Sequence, residues 1–252
     1  MKCLILAAGY ATRLYPLTEN FPKPLLKVAD RTILDWLVDD IASTGLVDGF
    51  VVISNHKFAH HFREWAGNRC HSRERIDEGI SFTVIDDGTS TDETRLGAVR
   101  DIQFAVDKLG LDDDLLVIAG DNILDFSLVE FIRYAQAKGT SCIMRYFEPD
   151  DGRLHKSGIV EVDTDDRVVG MEEKPAEPKS HWCCPPFYFY LREDAGRVAE
   201  GIAAGCGVDA PGSFAAWLST RVPVHAMEMP GRRYDIGDID SYRRVCDHFG
   251  SA

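Results

Sequence analysis

The chain is short of cations: 28 lysines and arginines stand against 41 aspartates and glutamates, a formal net charge of −13 over 252 residues. Nucleic-acid backbones are held by basic patches, so this balance argues against a nucleic-acid partner. No apolar run approaches the roughly 20 residues that cross a bilayer. The apolar start, Leu4 to Ala8, is too short for a signal-peptide core. A soluble, cytoplasmic protein without a membrane partner is therefore expected. The seven cysteines include no CxxC pair, which points to reduced thiols. Cys183 and Cys184 lie near His181, but no second pair completes a metal site, and buried thiols are the expectation for both. A GxGxxG fingerprint is missing, and no ribose-binding acid follows at the expected distance; a dinucleotide-binding dehydrogenase is the weakest reading. No hexapeptide repeat follows the last helical pattern, so no C-terminal β-helix domain is expected.

What the chain does have is an apolar fraction of 45%, enough to bury one sizeable core in an α/β domain that needs no division. Its opening is the most informative stretch. Cys3 to Ala7 is wholly apolar and reads as a central strand buried on both faces. Small residues follow, Ala7-Ala8-Gly9, where backbone N–H groups can approach a ligand closely and suit phosphate. Arg13 and Lys23 add two cations on the next loop, suited to a polyphosphate. Taken alone, these features also fit an ordinary strand and a solvated loop.

Further along, Leu34, Leu37, Val38 and Ile41 fall at helical spacing, with Thr32 as N-cap and Gly45 just past the end. Phe50–Ser54 and Ser81–Ile85 read as strands, and His56–Trp65 as a helix with His60 and His61 on its surface. Residues 86–96 are polar and lead into Gly97 and a helix marked by Ala98, Ile102, Ala105, Val106 and Leu109. A loop in that position lies at the carboxyl edge of an α/β sheet, where such folds bind ligands. Leu115–Ala119 is a buried strand running into Gly120-Asp121-Asn122. A carboxylate on such a strand tip is placed to hold a hard cation. Ser127-x-x-Glu130 is a capping-box pattern. From Ser141 several strands come in succession, over 141–146, 158–162, 168–171 and 187–191, and then 222–227. Lys174, after a strand and fixed by Pro175, can present an ammonium to a phosphate, although a charged surface turn has the same composition. Asp238 caps a last helix carrying Tyr242, Val245, Cys246 and Phe249.

The ordered pattern of apolar strand, Ala-Ala-Gly, Thr-Arg-Leu-x-Pro-Leu-Thr and Pro-Lys-Pro-Leu resembles the signature of the sugar-phosphate nucleotidylyltransferases, of the glucose-1-phosphate thymidylyltransferase type. Gly-Asp121, Glu-Glu-Lys174-Pro and Asp235-x-Gly follow in the family's order. The resemblance implies a Rossmann-like three-layer sandwich in a single domain, 1–252, with a mixed, mostly parallel central sheet and a β-rich acceptor-binding lobe. Residues 1–140 would form the nucleotide-binding half and 141–252 the acceptor-binding half with the C-terminal helix. It also implies roles: Arg13 and Lys23 catalytic, toward the triphosphate; Leu6, Ala8, Gly9, Thr12, Asp92 and Gly97 around the nucleotide; Gly158, Glu173 and Lys174 on the acceptor; Asp121 and Asp235 on Mg²⁺. The implied reaction joins a nucleoside triphosphate and a sugar 1-phosphate, giving a nucleotide-sugar and pyrophosphate.

This chain departs from the family pattern at several points. Ala8 and Ala11 replace glycines, and Ala11 requires a backbone conformation a Cβ tolerates, so a slightly different loop shape is expected. The polar loop lacks the thymidylyltransferases' Gln-x-Ser-Pro-x-Gly, and Asp92 stands near the base-reading position. Ser157 replaces a tyrosine. Cys184-Pro185-Pro186 and residues 211–214 differ in the acceptor region, so transfer to phosphocholine, an inositol phosphate or a phosphonate is the alternative. A non-catalytic nucleotide-binding domain is a weaker one, because Arg13, Lys23 and both metal carboxylates are present. Base, acceptor and homo-oligomeric state stay open.

Overall fold

The computed structural model of the protein describes residues 1–71 and 79–250. It is a mixed α/β fold with a large central sheet, as expected. The contacts group into two compact units that interleave along the chain. One is built from Met1–Arg95, Ala119–Val129 and Gly231–Ala252, the other from Leu96–Ile118 and Glu130–Pro230.

In the first unit, the strands Lys2–Leu6, Gly49–Ser54 and Ser81–Asp86 run parallel, with Cys3 opposite Phe50 and Val51 opposite Thr83. Cys3, Leu4 and Ile5 are fully buried, as an uninterrupted apolar run requires. The helix Ile33–Ser43 turns Leu34, Leu37, Val38 and Ile41 inward and opens on a capping box, in which Thr32 and Asp35 satisfy each other's backbone N–H groups. The next helix runs from Ala59 to His71, three residues later than its apolar pattern suggested. Its start is displaced because the Asn55 side chain accepts from the Phe58 N–H and holds 55–58 in a turn.

That helix carries the least predictable feature of the unit. Arg69 is almost fully buried, 2.7 Å from Asp35 and 2.6 Å from Asp39, and Arg31 also bonds Asp39. Burial pushes the Asp35 carboxyl up, but bonds from Thr32 and Trp65 and the Arg69 charge outweigh it and hold the group below its ordinary range.

The strands Asn122–Leu124 and Arg233–Asp235 form an antiparallel pair. Beneath them lies an apolar cluster of Leu14, Val28, Ile33, Ile123, Ile236 and Val245, with Tyr242, Cys246 and Phe249 packed on it from the helix Ile239–Gly250. Asp238 accepts from the Ser241 N–H at 2.7 Å and caps that helix, as its position suggested. The cluster is what fixes the loops of the unit: Leu14 follows Arg13, Ile123 comes two residues after Asp121, and Ile236 follows Asp235. Burial of each such side chain contributes on the order of 1.5–3 kcal/mol, which sets the neighbouring charged residues on rigid ground.

In the second unit, Leu115–Ala119 pairs antiparallel with Phe187–Tyr190, which pairs with Ser141–Phe147. Trp182–Cys184, Gly158–Val162 and Val168–Glu173 continue the antiparallel order, while Val224–Glu228 lies parallel to Ser141–Phe147. The succession of strands expected after residue 140 is present. Trp182–Cys184 is a further strand, between 171 and 187 where none was expected. Cys183 and Cys184 are buried there, as expected of structural thiols. Among the described residues no helix is long and apolar enough to cross a membrane.

Candidate active site

The opening loop is held from below by polar contacts. The Ala7 N–H donates to the Ile53 carbonyl, and the Leu6 carbonyl accepts from the Gly120 N–H. Fully buried Asn55 donates its side-chain amide to the Ala8 carbonyl at 2.9 Å. Around Gly9 the loop is open, with nothing within 4 Å of where a Cβ would stand. Ala11 adopts φ 48°, ψ 43°, the left-handed conformation that glycine takes freely. The Cβ of Ala11 is thus carried in a turn that glycine takes without cost. The Thr18 hydroxyl and the Leu14 N–H both donate to the Ala11 carbonyl, at 2.8 and 3.0 Å, and stabilise that turn.

Lys23 sits in a single tight turn, Lys23–Leu25, between Pro22 and Pro24, which restrict the backbone on both sides. It is 7% exposed, and its Nζ donates to Asp121 Oδ2 at 2.7 Å. The other Asp121 oxygen accepts from Asn122 at 2.8 Å, and Asn122 in turn accepts from Arg233 at 2.9 Å. Burial pushes the Asp121 carboxyl up, but the Lys23 ammonium in contact with it and the Arg233 guanidinium hold it below the usual carboxylate range. Asp121 is therefore an anion at neutral pH, and it fixes the Lys23 charge in place.

Lys23 and Asp121 line a cavity of about 320 Å³ in the first unit. Leu6, Gly9, Thr12, Arg13, Lys23, Asp92 and Asp121, all proposed from the sequence, are on its wall, with Tyr10, Arg95 and Gly237 beside them. Ala8 lies behind the wall, 7% exposed. Asp92 opens a short turn and faces Arg95 at 3.7 Å.

Asp235 pairs in register with Asn122, which places it on the strand beside Asp121. A Cβ on Gly237 would stand 4.0 Å from Asp235 Oδ2 and 3.9 Å from Arg13 Nη1, so that carboxylate and that guanidinium flank the same glycine. Among the described residues no group of three metal-ligating side chains forms. Two carboxylates with hard oxygen donors nonetheless suit Mg²⁺, which takes one or two protein carboxylates and fills its shell with water and substrate phosphate. Asp235 has no side-chain partner among the described residues, while Asp121 would share its oxygens with Lys23.

The remaining sequence-proposed residues belong to the second unit. Glu173 ends the strand Val168–Glu173, and Lys174 follows with φ 48°, its N–H donating to the Ser157 carbonyl. A non-glycine residue held in that left-handed region is strained, and such strain is concentrated at functional sites. Lys174 Nζ lies 3.9 Å from Asp209. A Cβ on Gly158 would come 2.8 Å from Glu173 Oε1, so the three residues that the sequence assigns to an acceptor are neighbours. Burial raises the Glu173 carboxyl above its ordinary range, partly offset by the Lys174 charge. Gly97 has φ 91°, and a Cβ there would come 2.5 Å from the Val208 carbonyl oxygen. The N–H groups of Ala98 and Val99 donate to the carbonyls of Asp209 and Val208. Within this unit, the glycine is thus required by the crossing of residues 208–209.

Sequence reasoning missed Asn55, Asn122 and Arg233, which hold the site residues from behind, and Asp209. Asn55 and Asn122 carried a local signal, each as a polar residue closely following a buried strand; Arg233 and Asp209 carried none.

The family model described as Nucleotidyl transferase matches residues 2–249. Over 194 residues the chain is 30% identical to a glucose-1-phosphate thymidylyltransferase of Streptomyces antibioticus, covering 75% of this chain and 49% of that one. It is 31% identical over 199 residues to the corresponding protein of Mycolicibacterium smegmatis, covering 75% and 61%. A UTP–glucose-1-phosphate uridylyltransferase of Synechocystis is 24% identical over 249 residues, covering 96% and 61%. The matches thus span about half to three fifths of these relatives. Among solved structures, a UDP-glucose pyrophosphorylase complexed with UDP-glucose superposes with a TM-score of 0.84 at 18% identity, covering 99% of this chain and 98% of that one; it is alike in fold.

Proposed function

Because the chain belongs to the nucleotidyl transferase family, we propose that it transfers a nucleotidyl group from a nucleoside triphosphate to a sugar 1-phosphate, releasing pyrophosphate. The observation that carries this reading is the gathering of Arg13, Lys23 and Asp121 on one cavity floored by the open Gly9 loop. An acceptor phosphate oxygen attacks the α-phosphorus in line with the departing pyrophosphate, so the protein's work is positioning and charge neutralisation.

Arg13, exposed on the cavity wall, is placed for the pyrophosphate. Lys23, buried and aimed by Asp121, offers its ammonium to the α-phosphate. The salt bridge that holds Lys23 keeps its charge oriented before substrate arrives, which is the preorganisation such electrostatic catalysis depends on. Glu173 and Lys174 hold the acceptor, the lysine on its phosphate and the carboxylate on its hydroxyls. Asp121 and Asp235 are the residues that would hold Mg²⁺, which when bound neutralises phosphate oxygens.

The test is pyrophosphate release by the purified chain with Mg²⁺, across a grid of the common triphosphates and several phosphate acceptors. Turnover with a sugar 1-phosphate is expected. Turnover confined to phosphocholine, an inositol phosphate or a phosphonate would move the acceptor to the other class. Absence of turnover with every pair, in folded protein, would contradict the proposal.

A further inference from the structure

Glu173 occupies space that two glycines leave free. One is Gly158. The other is Gly212, the first residue of the helix Gly212–Ser219, in the stretch 211–214 that departs from the family pattern. A Cβ on Gly212 would stand 1.8 Å from Glu173 Oε1, 2.9 Å from its Cδ and 3.1 Å from Met171 Cε. The first two separations are shorter than real atoms tolerate, so any side chain at 212 must push the Glu173 carboxylate aside. The backbone gives Gly212 no reason of its own to be glycine: it is absent from the positions with left-handed φ and begins a regular helix. Helix propensity favours alanine there. The missing side chain is explained by its neighbour.

We infer that Gly212 is a positioning residue for the acceptor: by carrying no side chain it lets the Glu173 carboxylate stand beside Lys174 in the orientation that receives substrate hydroxyls. This rests on the reading that Glu173 and Lys174 hold the acceptor. Among the described residues no donor reaches that carboxylate, so its oxygens are left to accept from a bound molecule. The acceptor it completes is therefore one that joins a phosphate to nearby hydroxyl donors. Met171, two residues before Glu173 on the same strand, also comes within 3.1 Å of where that Cβ would stand, so the side chain would be crowded by two residues of one strand.

The test is a pairwise cycle read as the acceptor KM against kcat and against the KM for triphosphate. Gly212→Ala is expected to raise the acceptor KM roughly tenfold, within the range of coupling between touching residues, with the triphosphate KM unchanged. In a Glu173→Ala background the same substitution is expected to change the acceptor KM less than about twofold, because nothing remains to displace. Gly158→Ala crowds the same oxygen and is expected to show the same dependence on Glu173, which keeps the test open if Gly212→Ala folds poorly. An equal effect of Gly212→Ala in both backgrounds, or none in either, would overturn the inference. If Lys174→Ala and Glu173→Ala themselves leave the acceptor KM unmoved, the acceptor-site reading falls and takes the inference with it; if they raise it and Gly212→Ala does not, the inference alone falls.

Discussion

The two candidate subsites hold their charges by opposite means. In the first unit Lys23 is gripped by Asp121, Asp121 by Asn122, and Asn122 by Arg233, a chain of bonds between 2.7 and 2.9 Å. In the second, Glu173 is placed by empty space at Gly158 and Gly212, and burial pushes its carboxyl upward. A bonded network fixes a charge before substrate arrives and suits the place where negative charge must be neutralised during reaction. A carboxylate held only by shape is left with its acceptor capacity unused, which suits recognition of a hydroxylated substrate.

That contrast can be broken most strongly at Lys23. Lys23→Ala is expected to lower the rate of pyrophosphate release about a hundredfold or more, the scale for losing one preorganised charge contact. Turnover within about threefold of wild type, a loss below about 1 kcal/mol, would remove Lys23 from the catalytic group.

An effect of comparable size is expected on stability, at the buried Asp35–Arg69 pair. Arg69→Met leaves Asp35 buried without its cation, and thermal unfolding should report a loss of about 3–5 kcal/mol. The same pair gives a pH dependence. The Asp35 carboxyl is depressed in the folded protein, so its contribution is present above its ordinary unfolded value and is lost as pH falls through the folded one. The acid limb of melting temperature against pH, below about pH 4, should be steeper in wild type than in Arg69→Met. Parallel limbs would contradict the assignment.

The smallest effect concerns the opening loop. Ala11→Gly removes the cost of a Cβ in a left-handed turn, roughly 1–2 kcal/mol before the unfolded chain's extra freedom offsets part of it. A rise in melting temperature of a few degrees is expected, and a fall would mean that the alanine methyl makes packing contacts that outweigh the strain.

Sequence order carried much of this. The buried first strand, the Arg13 and Lys23 positions, the carboxylate on the strand tip at 121 and the Thr32 cap were readable because each depends on residues close in the chain. What escaped depends on distant partners. Asp35 and Arg69 are 34 positions apart, and nothing near either marks a buried ion pair. The Trp182–Cys184 strand was hidden because its three residues find their ladder partners at 146–147 and 158–159, with polar sequence before them and prolines after. Gly97 was readable as a special position, but the reason it is glycine lies 111 residues away at Val208.

The central claim is that the Arg13–Lys23 cavity receives the triphosphate. Calorimetric titration of nucleoside triphosphate with Mg²⁺ into wild type and Arg13→Ala tests it most directly. Loss of at least about tenfold in affinity, near 1.4 kcal/mol, with an unchanged melting temperature is the predicted result; equal affinity in the two proteins would contradict it.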